Sequence, residues 1–140
     1  MRLRNVVIVA VAVIAILAII GALLPKEQVL VEISGSYPPD TFIYEEFTVE
    51  EAGTYKVIVD ANRGHYACYV LKGSKAEFEA ALAEGDISPL TLRQGSHVWP
   101  AEAPPIEYEV ELQAGTYVFA VVQTESWLGD VWFEAKIVKA

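Results

Sequence analysis

The chain has 140 residues, with 19 acidic side chains against 10 lysines and arginines and a net charge of −9. Two of the cations, Arg2 and Arg4, belong to the head, so the rest sets 19 acids against eight cations, a net of −11. A field of that sign repels phosphate and excludes nucleic-acid binding. Cys68 is the single cysteine, which excludes an internal disulfide.

Residues 6–24 (VVIVAVAVIAILAIIGALL) contain no charged side chain. At a rise of about 1.5 Å per residue they match the hydrocarbon core of a bilayer, so the lipid is the expected partner of this run. Arg2 and Arg4 precede it and Lys26 is followed at once by Glu27, which places the N-terminus in the cytoplasm and the bulk of the chain outside. A cleaved secretory signal is the competing interpretation, but its apolar core is normally about 7–15 residues long and ends in small residues. Residues 1–25 are therefore expected to be a transmembrane signal-anchor at the cell membrane and residues 26–140 one extracytoplasmic domain. Ala18, Gly21 and Ala22 are spaced to let a second helix approach closely.

Beyond the anchor, 29–33 alternates as a strand that 35–39 ends with adjacent prolines. Strands at 42–49 and 54–61 flank a turn at 50–53 and read as a hairpin. A further strand, 65–71, is apolar on both faces and hence central. Ser74 and Glu77 form a capping box opening a short helix over 74–84, stopped by Gly85 and laid over one end of the fold. From 86 to 105 prolines leave room for a short strand around 90–93, with loop elsewhere. Strands follow at 106–112, 116–124 and 131–138; in the first, Ile106, Tyr108, Val110 and Leu112 point inward and Glu107, Glu109 and Glu111 outward. The segments 47–59 and 110–121 repeat one strand, Ala-Gly-Thr-Tyr turn, strand unit. Two copies fit a duplicated sandwich half better than a solenoid. The expected fold is an antiparallel all-β sandwich, jelly-roll-like, of about eight strands and one short helix.

The run Phe47-Thr-Val-x-x-Ala-Gly-Thr-Tyr-x-Val-x-Val59, followed by Tyr66-x-Cys-Tyr-Val-Leu71, resembles the core of extracytoplasmic β-sandwiches of the pre-peptidase C-terminal and GOLD types. The resemblance covers about half of the outer domain and implies a jelly-roll-like module that binds or docks and has no catalytic residues of its own. The chain departs from it in two places. Ala67-Cys68 stands where many pre-peptidase modules carry an acidic dipeptide, and the anchor is N-terminal where GOLD cargo receptors place theirs at the C-terminus.

Motifs for chemistry are lacking. His65, Cys68 and His97 have no zinc-ligand spacing, and three positions along a strand put His65 and Cys68 on opposite faces. Ser96 and His97 lie outside any nucleophile frame. The outward glutamates 107, 109 and 111 have the spacing of a glycosidase pair but are ordinary on a wet strand face. The acidic stretches 84–86 and 125–130 lack calcium-loop order. No enzyme activity, metal or cofactor is expected, and Cys68 is expected to pack as a small hydrophobe.

Aromatics are the best lead. Trp99, beside His97 in the proline-rich stretch, and Trp127, in the turn before the last strand, are large apolar side chains in expected loops, where they either dock a partner or cap the core. The expectation is a non-catalytic, membrane-anchored accessory module acting by protein contact. The alternative is a carbohydrate-binding module stacking sugars on Trp99, Trp127 or Trp132.

Overall fold

Successive side chains of a strand point to opposite faces, so one row of each strand turns inward, and residues 28–140, which the computed structural model describes, form eight such strands, β4 and β7 being apolar on both faces. The strands are β1 (Val29–Tyr37), β2 (Ile43–Val49), β3 (Gly53–Ala61), β4 (Tyr66–Lys72), β5 (His97–Glu102), β6 (Ile106–Leu112), β7 (Gly115–Gln123) and β8 (Val131–Lys139). Helices α1 (Lys75–Glu84) and α2 (Ser88–Thr91) lie between β4 and β5, and a 3-10 turn, Ser126–Leu128, precedes β8. The expected span at 6–24, its small residues Ala18, Gly21 and Ala22, and the boundary at 25–26 lie outside the described residues. Among the described residues no helix is long and apolar enough to cross a membrane.

Two four-stranded antiparallel sheets, β1-β8-β3-β6 and β2-β7-β4-β5, enclose the core. The expected eight-stranded antiparallel sandwich is thus present. Consecutive strands change sheet at every step except β4 to β5, which is the winding of a double-sheet jelly roll.

That winding corrects the expected hairpins. β2 pairs with β7, while β3 pairs with β6 and β8, so the Ala-Gly-Thr-Tyr turns carry the chain from one sheet to the other. The two copies of the repeat pair with each other, Phe47 opposite Tyr117 and Tyr55 opposite Val110. Each tyrosine hydroxyl donates to a carbonyl four residues upstream, Tyr55 to Glu51 at 2.6 Å and Tyr117 to Gln113 at 2.8 Å. These are tyrosine corners: a buried ring fills the core while its hydroxyl satisfies a carbonyl freed by the bend. Tyr55→Phe and Tyr117→Phe should each cost about 1 kcal/mol, read as a lower urea midpoint with unchanged slope.

Other expectations shift locally. β1 runs on through Gly35 to Tyr37 instead of stopping at residue 33. The expected strand around 90–93 is replaced by the single turn α2, which buries Leu90. The expected loop around Trp99 is strand β5, an edge strand whose ladder on β4 slips between Trp99 and Glu102, where Pro100 lacks a donor.

Helix α1 has the expected capping box and a left-handed Gly85 cap (φ 78°), but it covers a face of the sandwich, not an end. The outward rows of β2, β4 and β7 place Tyr44, Leu71, Val118 and Ala120 beneath Phe78. Arg93 and the Ser74 N–H hold the Glu77 carboxyl down to about 2. Lys75 N–H donates to Glu46 at 2.7 Å, fastening the helix start to β2.

Candidate functional site

The pairing registers divide the sandwich into two ends. At one, which we call proximal, lie Val29, the corners at 50–52 and 113–114, and the C-terminus. At the other, distal end lie the connections 38–42, 62–65, 103–105 and 124–130. A nine-residue strand such as β1 covers about 30 Å between them.

The distal end is tied together by polar side chains. Gln123 closes β7 only 2 % exposed, and its amide receives the Glu125 N–H and donates to the Glu125 carbonyl at 3.1 Å. Asp40 N–H donates to the Gln123 carbonyl and Thr124 N–H to the His65 carbonyl, both at 2.8 Å. Ser126 Oγ donates to Asp40 Oδ2. Gly64 (φ 97°) is required here, since a Cβ would meet the Gln123 side chain and the Tyr66 hydroxyl at 3.1 Å.

Glu125 organises what is displayed. One carboxylate oxygen lies against His65 Nδ1 and the other accepts the Trp127 indole N–H at 2.7 Å. Trp127 is 79 % exposed, yet its ring is held by this bond. An exposed aromatic whose orientation is already set loses little conformational entropy on docking. Trp132, 55 % exposed, follows on the outer face of β8.

Trp99 and His97 belong elsewhere. They face Cys68 and Val70 in the β4–β5 ladder, whose side chains point into the core. Trp99 stacks on Tyr108 of β6 (4.8 Å between centroids, 4° between planes) and on His97 (5.9 Å, 16°). Trp99 therefore closes the open seam between the edge strands of the two sheets, the core-capping alternative. Burial, and secondarily the Glu102 charge, push the Cys68 thiol up to about 12, which leaves it without thiolate reactivity.

Three of the other acids have structural partners. Glu107 pairs with Lys56 at 3.4 Å and Glu111 accepts the Thr54 hydroxyl. Asp86 accepts the Ser88 N–H at 2.9 Å, fixing the entry to α2. Among the described residues no three His, Cys, Asp or Glu side chains converge on a metal position. Sequence reasoning singled out Trp127 but missed Gln123, Glu125, Asp40 and His65 as its support. Each belongs to a different loop or strand end, and nothing in their spacing announces that the jelly roll brings them together.

No protein-family model matches the chain and no curated protein matches it. Among solved structures it is similar to the pre-peptidase C-terminal domain of a collagenase from Bacillus anthracis. That match has a TM-score of 0.51 and 20% identity, and covers 78% of this chain and 89% of that one. The fold of the chain is similar to that of this pre-peptidase C-terminal domain. At this identity the likeness concerns architecture alone, and it agrees with the resemblance carried by the Ala-Gly-Thr-Tyr run. A mitogen derived from Yersinia pseudotuberculosis matches at 8% identity and TM-score 0.48, over 84% of this chain and 88% of that one.

Proposed function

We propose that this chain is a non-catalytic module, tethered to a membrane by residues 6–24, that contacts a protein partner through its distal end outside the cytoplasm. The observation that carries the proposal is Trp127, 79 % exposed and held by Glu125 at the end of the sandwich opposite Val29. A tether entering at Val29 leaves the distal loops pointing away from the bilayer, which is where a docking surface is useful and a lipid-facing aromatic is not. The acidic surface and the lack of any catalytic frame support a contact role in preference to chemistry. Carbohydrate stacking keeps Trp127 and Trp132 as plates but loses Trp99, whose face is occupied by Tyr108.

The test is extraction of the full-length chain from native membranes in mild detergent, followed by mass measurement. A stoichiometric protein partner is expected, and Trp127→Ala with Trp132→Ala should weaken its retention by about tenfold or more, the scale of hot-spot aromatics. A lone monomer, or retention indifferent to both substitutions, would overturn the proposal. Glycan-array binding abolished by the same substitutions would favour the carbohydrate alternative.

A further inference from the structure

We infer that the distal outer face of the β1-β8-β3-β6 sheet receives an arginine-bearing segment of a partner polypeptide, with Trp132 as the stacking plate and Asp60 and Glu134 as the charge partners. This rests on the protein-contact reading and names the partner's chemistry.

Register places the three side chains on one surface. Trp132 is opposite Ser36 of β1, and Glu134, two residues on and hence on the same face, is opposite both Ser34 of β1 and Asp60 of β3. Side chains two apart along a strand are about 7 Å from each other, within the reach of one guanidinium and its stem. Ser34 and Ser36 are small, which leaves the β1 side of the indole open.

The Asp60–Glu134 pair sets two carboxylates directly across a ladder, an arrangement that destabilises a sheet. On the same face, Lys56 stands opposite Glu109 and pairs with Glu107. Neither Asp60 nor Glu134 has an ion pair among the described residues. In register, Lys136 stands one row away on β8, and Arg63 lies in the turn that follows β3. An exposed indole beside two uncompensated carboxylates is complementary to a guanidinium, which stacks on an aromatic face and accepts bidentate pairing. An acidic or apolar segment would leave both charges buried without a partner. A net of −11 outside the head adds long-range attraction of the same sign.

The test uses the full-length chain in nanodiscs and a synthetic nonapeptide carrying two arginines in a Gly-Ser background. Its counterpart replaces arginine by citrulline, which keeps the shape and removes the charge. The arginine peptide should bind about tenfold more tightly than the citrulline peptide, and more weakly as salt rises. Asp60→Asn with Glu134→Gln should abolish that preference while circular dichroism shows an intact fold. A charge-matched control, Glu84→Gln with Glu109→Gln, should keep it. Equal binding of the two peptides would overturn the inference, as would a control that loses as much as the site variant. Should the native partner be retained by the Asp60→Asn, Glu134→Gln variant but lost from the tryptophan variants, the protein-contact reading stands and this inference fails.

Discussion

Phe78→Ala should destabilise the domain by about 3–5 kcal/mol, the range for removing a fully buried phenylalanine. Phe78 is the buried residue of α1, and its ring meets Tyr44 at 4.8 Å and Phe42 edge-on at 5.6 Å. Ala81 and Leu82 pack only partly buried against the same cluster, and the other ties are polar: the capping box, Glu77 with Arg93, Lys75 N–H donating to Glu46, and Tyr44 O–H donating to Glu79 at 2.8 Å. Exposed pairs of this kind contribute little. Phe78 is therefore the main apolar anchor of the helix, and losing its ring uncovers Leu71, Val118 and Ala120. Hydrogen exchange should show residues 75–84 opening well before the sheets, together with the fall in urea midpoint. A loss under about 1 kcal/mol would mean the helix is docked by other means.

Glu45→Gln should raise stability at neutral pH by about 1–3 kcal/mol, the cost of burying a poorly paired polar group. Glu45 alternates with Ile43, Phe47 and Val49 on the inward row of β2 and is only 7 % exposed. One of its carboxylate oxygens has no hydrogen-bond partner. Burial raises its pKa, partly opposed by Lys75 and the Glu46 backbone, while the Glu46 charge raises it further. Because the folded state holds the proton more tightly, this contribution is complete below the unfolded value of about 4.3 and decays as pH rises through the raised folded value. Glu77, held low, contributes in the opposite sense: its share is present above the unfolded value and lost as pH falls. The difference between wild type and Glu45→Gln isolates the first effect, and thermal midpoints from pH 4 upward should diverge steadily. Parallel curves would contradict it. An inward charge on an edge strand also discourages edge-to-edge association.

The strands were legible because β6 alternates without interruption and β3 does so but for Ile58; the helix was legible because Ser74, Glu77 and Gly85 spell its start and stop. Their connection was not. A short turn between alternating segments reads as a hairpin whether it joins neighbours in one sheet or crosses to the other. The signal that could have separated the two is the tyrosine two residues after each glycine, placed so that its hydroxyl reaches back over the turn. β5 was hidden by Pro100, which breaks an interior strand but is tolerated at an edge. Trp127 stood out by its turn residues, whereas Trp99, with a similar neighbourhood in sequence, caps the core because β5 and β6 happen to be facing edges.

The most direct measurement of the central claim is photocrosslinking in native membranes from a benzoyl-phenylalanine placed at position 127, compared with the same probe at position 50 in the proximal corner. A discrete protein adduct from position 127 and none from position 50 is the predicted result. Lipid adducts at position 127, or the same protein adduct from both positions, would contradict a docking surface held away from the bilayer.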